Sequence, residues 1–460
     1  MDEKNLDPPP HLETSDQELN LAPQVESAFD AEMWDEVFAL TSNIHPADMA
    51  DIIQQFPPQK RLRLVELLHT TISGEALSFL EESVREQILP LFTSAEVAAA
   101  IHELESDDAA LILEDLQEDM QREVLEALPL EERISFEKTR SYPEYSAGRL
   151  MQREVVLCSP NWTLGQIIDS LEDIEHLPEH FYDVYVVDED NKPVGEISLS
   201  WILRHPRRTQ VAKIMNTEVR SVPVNLDQEE VAYIFQRYSL SSMPVIDQEG
   251  RIAGMITVDD IIDVIQEEAS DDILKLGGVT QETSLYGNII QASLSRFGWL
   301  FISLINCLIA SVVIAHFEQA LENFVVLAFL MPIVASMGGN AGMQTLTVTV
   351  RSLSIYNLRA GHVVSAIKRE LSIAALNGLV LALILSSITL LWTGNLKIGI
   401  IIGLALLFNV LWSGFAGAFI PYVLHRINLD PAISAGPIMS TTTDVIGFAL
   451  FLGLATLILL

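Results

Sequence analysis

Five long apolar stretches follow residue 290, at about 298–315, 324–350, 371–392, 396–420 and 432–460. A helix rises 1.5 Å per residue and needs about 20 residues to cross a hydrocarbon core, so each stretch is a candidate span. Lipid cannot satisfy backbone polar groups, so stretches of this kind fold as helices packed side by side. Charge divides the chain at the same place. Of the formal net charge of −36, residues 1–275 carry −37 and residues 276–460 carry +1. The first half therefore reads as an acidic soluble body. Such a body attracts cations and repels nucleic acid and anionic lipid. A plain solvated acidic surface is the alternative reading of the same charge.

The last stretch, AISAGPIMSTTTDVIGFALFLGLATLILL, holds a single acid, Asp444. An ionised carboxylate there costs several kcal/mol unless water or a cation meets it, which makes it a candidate site. No Lys or Arg lies mid-span in this half to serve as its partner. Small and helix-breaking residues crowd two stretches. The second has Pro332 and SMGGNAGMQTLT, and the fifth has Gly436, Pro437 and the hydroxyl run Ser440 to Thr443. Such residues allow close helix packing. They also suit a polar path, because hydroxyl and freed carbonyl oxygens beside a carboxylate favour a hard cation. Asp444 and the carbonyl of Ser440, one turn earlier, are expected to face the same lumen. Glu370 follows Lys368 and Arg369 and reads as a carboxylate at a helix start or in a local ion pair.

Six bases, Arg296, Arg351, Arg359, Lys368, Arg369 and Arg426, fall on one side of the five spans. The positive-inside rule then places the N-terminal half in the cytoplasm and the C-terminus outside. The first residues are acidic and proline-rich without an apolar core, so they do not read as a signal peptide. Residues 1–27 are expected to be a disordered tail. Cys158 and Cys307 have neither disulfide-framework nor metal-ligand spacing.

The soluble half contains a helical region, a repeat and an acidic helix. Residues 28–140 place apolar residues at i, i+3 and i+4 in short segments such as DMADIIQQF and EVAAAIHEL, punctuated by prolines. That rhythm predicts an all-α superhelix. Asp107 and Asp108 open one of its helices, where capping is their expected role. Residues 141–258 hold two copies of a hairpin-and-helix unit, at about 147–208 and 209–258. VYVVDEDNKPVGEISL in the first matches MPVIDQEGRIAGMITV in the second. Residues 259–280 are an acidic helix. At 100° per residue, Asp260, Asp263, Glu267 and Asp271 share one face, and Ile261, Ile262, Ile265, Ala269, Ile273 and Leu276 share the other. Like-charge i,i+4 pairs on that helix each cost a few tenths of a kcal/mol. Divalent cations screening the stripe against Asp227, Glu229 and Glu230 would make it a switch leading into the membrane half.

The tandem copies resemble a pair of CBS domains, a regulatory module. Such pairs often hold adenosine nucleotides through Gly-x-Ile-Ser/Thr-x-x-Asp. The second copy has Gly254, Ile256, Thr257 and Asp260, whereas the first has Trp201 in place of the Asp. The complete order resembles the MgtE family of magnesium channels, through YPEYSAGRLM, TVDDIIDV, PIVASMGGNAG, NLDPAISAGP and TTTDVIGF. The resemblance implies a cytoplasmic all-α superhelical N-domain, an α+β CBS pair, a connecting (plug) helix, and a five-helix transmembrane domain over residues 281–460. It further implies a homodimer in the inner membrane, with Asp444 facing a hydrated Mg2+ and internal Mg2+ closing the pore. The family's regulatory Mg2+ positions fall on Asp227, Glu229, Asp260, Asp263, Glu268, Asp271 and Asp272, with Asp107 or Asp108 added from the superhelix. ATP is a further candidate ligand, at Thr257 and Asp260. Two residues depart from the family pattern, Met343 after GNAG and Ser239 where an acid can occur.

Two other classes compete with this resemblance. A membrane metalloprotease would need HExxH, and His102-Glu103 is followed by Leu-Glu-Ser. No enzymatic activity is therefore expected. A transporter of Co2+ or Mn2+ would favour Cys or His within the spans, where Cys307 stands alone and no His lies mid-span. A coupled exchanger stays open on sequence alone.

Overall fold

A computed structural model describes residues 21–173, 177–178, 181–279, 289–355, 360–427 and 429–460. The chain forms two compact units, the first ending at Glu268 and the second starting at Ala269.

The first unit begins with short helices from Leu21–Asp30 to Leu130–Arg140. The opening helix corrects the expected tail over residues 21–27. Its Ala22, Val25, Ala28 and Phe29 are buried in the superhelix core, so apolar spacing prevails there over acidic composition. Residues 1–20 of that tail lie outside the described residues. Pro46 and Pro58 are the first residues of their helices, where a missing N–H leaves no bond unmade. A second device was not legible in the hydropathy. Arg61 Nε donates to the Ile53 carbonyl at 3.0 Å, Arg85 Nη1 to Leu77 at 3.5 Å, and Arg133 Nε to Leu125 at 2.8 Å. Each arginine thus ties back to the carbonyl eight residues earlier, near the end of the preceding helix, which satisfies acceptors that a helix terminus leaves open. Their positions, 24 and 48 residues apart, reveal a helical repeat.

The CBS copies each form a three-stranded sheet. In the first, β1 (Leu157–Cys158) runs parallel to β2 (Asp183–Val187), which pairs antiparallel with β3 (Pro193–Ser198). In the second, β4 (Val222–Pro223), β5 (Ser242–Ile246) and β6 (Ile252–Thr257) repeat that order. Both hairpin turns use an aspartate. Asp188 Oδ1 accepts from the N–H groups of Asp190 and Lys192, and Asp247 Oδ1 from those of Glu249 and Arg251. Each copy also pairs with a strand-like residue of the other, Gln152 with Met255 and Asn216 with Glu196. That exchange explains a glycine of the nucleotide-like pattern. A Cβ on Gly254 would overlap the Gln152 carbonyl, so close backbone approach requires glycine there.

Among the described residues, the second unit contains five helices of membrane-spanning length and hydropathy. They are Ile289–Ala315, Val326–Ile355, Ala360–Thr393, Leu396–Arg426 and Pro431–Leu459, here called spans one to five. Span four packs against spans two, three and five, and span five also meets spans one and two. Pro332, Pro421 and Pro437 sit inside spans two, four and five. Each removes one ladder bond of its helix. Glu370 corrects the sequence reading, because span three begins at Ala360 and Glu370 lies within it, not at its start. The expected ion pair is present, with Arg369 Nη1 at 3.5 Å.

Candidate ion pathway and acidic sensor region

Asp444 lies half-buried in span five, and among the described residues it has no ion-pair partner. The helix buries Met439, Thr443, Phe451 and Ala455 along an i, i+4 stripe. Ser440 is exposed and sits one turn before Asp444. The i, i+4 spacing places the two on one side of the helix. The hydroxyl run behaves differently from the sequence reading. Thr441 donates to the Pro437 carbonyl at 2.7 Å, Thr442 to Met439 at 3.0 Å, and Thr443 to Met439 at 3.1 Å and Ser440 at 3.0 Å. Hydroxyl protons in an apolar helix turn back onto their own backbone, leaving the oxygen lone pairs as the outward-facing chemistry. The Ser440 carbonyl is consequently engaged by Thr443. Met343, the departure in span two, is exposed.

In the first unit, the acids that the sequence singled out divide into two groups. Asp107, Asp108 and Asp260 lie near enough for their charges to act on one another. Burial pushes the Asp107 carboxyl well above its ordinary range, and the Asp260 and Asp108 charges push it the same way. Burial raises Asp108 to about 6, against a hydrogen bond from Ser78 and the charge of Arg85. Burial raises Asp260 to about 7, against a hydrogen bond from Thr257 and with help from Asp259. Burial also raises Asp263, with Asp259 adding to it. Asp107 is in the first turn of Ser106–Glu114, where it accepts from the Asp108 N–H at 3.0 Å. Glu105, not either aspartate, holds the N-cap position.

The remaining acids have local roles. Asp227 caps Gln228–Tyr238 by accepting from the Glu229 N–H at 2.9 Å. Glu268 accepts from Gln228 Nε2 at 2.7 Å. Ser239, the second departure, is the left-handed C-cap of the same helix at φ 51°. Thr257 Oγ1 donates to Asp260 Oδ2 at 2.7 Å, and the Thr257 N–H reaches the same oxygen at 3.2 Å. This pair closes the start of the connecting helix, Val258–Leu276. In the first copy, Trp201 stands where the Asp would be and stacks on His205 at 4.9 Å. A cleft of about 190 Å³ in the CBS pair is lined by Glu196, Glu218, Arg220, Tyr238 and Ser242. Its two carboxylates oppose a polyphosphate.

The connecting helix also differs from its helical-wheel reading. Ile261 and Val264 are buried, whereas Ile262, Ile265 and Ile273 are exposed. The Thr257 cap fixes the helix rotation, so Asp260 turns inward beside Ile261 and the acidic stripe is split. Past the unit boundary, Lys275 Nζ lies 2.5 Å from Asp271 and 3.0 Å from Asp430. Burial alone would lower the Lys275 pKa, but the hydrogen bonds to Asp271 and Asp430 outweigh it and the net shift is upward. Asp430 is also the N-cap of span five, accepting from the Ala432 N–H at 2.8 Å. Asp272 lies partly buried in the last turns of the same helix. Asp430 and Lys275 were missed from sequence, although NLDPAISAGP was the available signal for Asp430. Among the described residues, no three His, Cys, Asp or Glu side chains of the single chain converge on one metal position. Paired carboxylates with spare lone pairs fit a cation that keeps most of its water, as Mg2+ does.

Five membrane-length helices following a CBS-bearing unit in the chain define a multi-pass membrane protein. The MgtE divalent cation transporter family matches residues 331–454, its intracellular N domain residues 44–145, and the CBS family residues 147–205 and 211–267. The chain belongs to the MgtE family. It is 31% identical to the magnesium transporter MgtE of Thermus thermophilus, over 90% of this chain and 93% of that protein. The MgtE magnesium transporter of Bacillus subtilis is 29% identical, over 91% of this chain and 93% of its own length. The crystal structure of the cytosolic domain of the Mg2+ channel MgtE in complex with ATP is similar to 53% of this chain and 99% of its own, at 30% identity and a TM-score of 0.48.

Proposed function

We propose that the protein is a homodimeric, Mg2+-selective channel of the cytoplasmic membrane that admits Mg2+ and is closed by Mg2+ on its cytosolic side. The carrying observation is Asp444, a half-buried carboxylate inside span five with no ion-pair partner among the described residues. A second copy facing it would set two carboxylates across a path, where a hydrated divalent cation balances both. The N-terminal half is cytosolic and the C-terminus external, in keeping with the basic loops. The Asp107, Asp108 and Asp260 carboxyls supply the regulatory chemistry. Burial is the main cause of their raised pKa values, with neighbouring acids adding to it, and a divalent cation that compensates the buried charge favours the clamped, closed arrangement. An adenosine nucleotide held by the CBS pair would use the Thr257–Asp260 side, because Trp201 occupies the matching place in the first copy.

The test is ion flux into proteoliposomes loaded with a Mg2+ indicator. Asp444→Ala is expected to abolish uptake while the protein remains folded and monodisperse. Uptake at the native rate would defeat the pore assignment. Preference for Co2+ or Mn2+ over Mg2+ in the native protein would defeat the selectivity assignment instead.

A further inference from the structure

Asn409 lies in span four with no exposed surface. A primary amide in an apolar helix bundle costs several kcal/mol unless it is bonded. Its Nδ2 donates to the Val334 carbonyl of span two at 2.9 Å. Among the described residues its Oδ1 has no hydrogen-bond partner. A glycine stands on either side of the amide. A Cβ on Gly338 of span two would overlap Nδ2, and a Cβ on Gly447 of span five would lie 2.7 Å from Nδ2 and 3.3 Å from Oδ1. The side chain therefore fits only because both neighbouring helices lack one at that level.

We propose that Asn409 is a positioning residue for Asp444, a polar key between spans two and five that sets the rotation of the helix carrying the carboxylate. Gly447 follows Asp444 by three residues, so the two lie about one turn and roughly 60° apart on the same helix. Seating Gly447 against the amide fixes where Asp444 points. On the other side of Asp444, Asn306 Nδ2 of span one holds the Pro437 carbonyl of span five at 3.2 Å. Two side-chain ties to other spans thus bracket the carboxylate. Apolar packing alone allows a helix to turn by small angles at little cost, whereas a directional hydrogen bond with a tight glycine contact does not. A leucine has the same γ-branched shape without the desolvation penalty, so the amide is explained by placement rather than by stability.

This inference rests on the reading of Asp444 as the pore carboxylate, so Asp444→Ala is measured in parallel. Mg2+ flux in proteoliposomes is recorded against Mg2+ concentration for Gly447→Ala, Asn409→Ala, the double variant, Asn409→Leu and the control Gly453→Ala. The control position has only Phe317 near its Cβ, at 4.0 Å. Gly447→Ala is expected to lower flux about tenfold, as small misplacements of a reacting group do. The double variant recovers much of that loss, because removing the amide makes room for the new Cβ. Asn409→Leu keeps its melting temperature and elution volume but raises the half-saturating Mg2+ concentration several-fold. Native flux in Gly447→Ala, no recovery in the double variant, or an unchanged half-saturation in Asn409→Leu would each overturn the proposal. If Asp444→Ala still transports, the pore reading fails. If it does not transport and the Asn409–Gly447 coupling is absent, only this inference fails.

Discussion

Lys275 and Asp430 form an ion pair at 3.0 Å that joins the end of the connecting helix to the cap of span five. Asp271 shares the same ammonium at 2.5 Å, so one cation separates two carboxylates that would otherwise repel. Leu276, the next residue, packs against the cluster of Leu346, Val350, Leu424, Ala432 and Ala435. The connecting helix thus reaches the helix of Asp444 through a charge contact backed by apolar packing.

Replacing that cation tests the contact. Lys275→Met is expected to destabilise the chelator-treated protein by on the order of 1 kcal/mol, the scale of a partly exposed ion pair. Added Mg2+ should then raise the melting temperature of Lys275→Met more than that of the native protein, because a divalent cation can take the vacated position. Equal Mg2+ responses would show that Asp271 and Asp430 do not work as a pair.

Stability in the absence of divalent cations should fall as pH rises. Asp107, Asp108 and Asp260 have folded-state pKa values above their ordinary ones, with Asp108 at about 6 and Asp260 at about 7. Above about pH 4 the unfolded carboxyls have lost protons that the folded ones still hold, so stability declines with pH until the folded groups also ionise. Melting temperatures between pH 5 and 8 would show a downward slope that Asp108→Asn and Asp260→Asn flatten. A slope identical in these variants would assign the dependence to other groups.

Neutralising the acidic helix separates gating from conduction. A variant with Asp260→Asn, Asp263→Asn and Glu268→Gln should conduct while losing sensitivity to cytosolic Mg2+ by about tenfold, a coupling of roughly 1.4 kcal/mol. Recording current with Mg2+ varied on the cytosolic face gives the inhibition constant. Inhibition at the native concentration would remove these residues from the sensor.

Arg85 is a structural test of the superhelix. Its guanidinium donates to Asp115 at 2.6 Å and to the Ser78 and Leu80 carbonyls at 3.1 and 2.9 Å. Both side chains of the Arg85–Asp115 pair are almost fully buried. Removing one partner of a buried pair costs about 3–5 kcal/mol, so Arg85→Ala should unfold the helical region at markedly lower denaturant. Arg85→Lys should rescue little, because an ammonium cannot reproduce the guanidinium fork. A transition midpoint close to the native one would contradict this account.

Much of the candidate site was legible in the chain. A lone Asp in a 29-residue apolar stretch needs no coordinates to be noticed, since its cost follows from composition and depth. The CBS repeat was equally visible, because two hairpins of one register leave two copies of one pattern. The acidic helix was legible as a helix but not in its rotation. A helical wheel ranks faces by hydropathy, and here the Thr257–Asp260 cap with Ile261 and Val264 outweighed three isoleucines that stay exposed. Asn409 carried no signal at all, since one amide in an apolar span looks like any tolerated polar residue.

Sequence by itself determined the two-part architecture, the spans, the repeat and the carboxylate at Asp444, because these depend on local periodicity and on the free energy of placing charge in lipid. Tertiary structure alone decided which acids lie near one another, which cation Asp271 and Asp430 share, and why Gly338 and Gly447 flank one amide. Those relations join residues up to about 160 positions apart. They are set by packing and by the direction of hydrogen bonds, which no local pattern encodes.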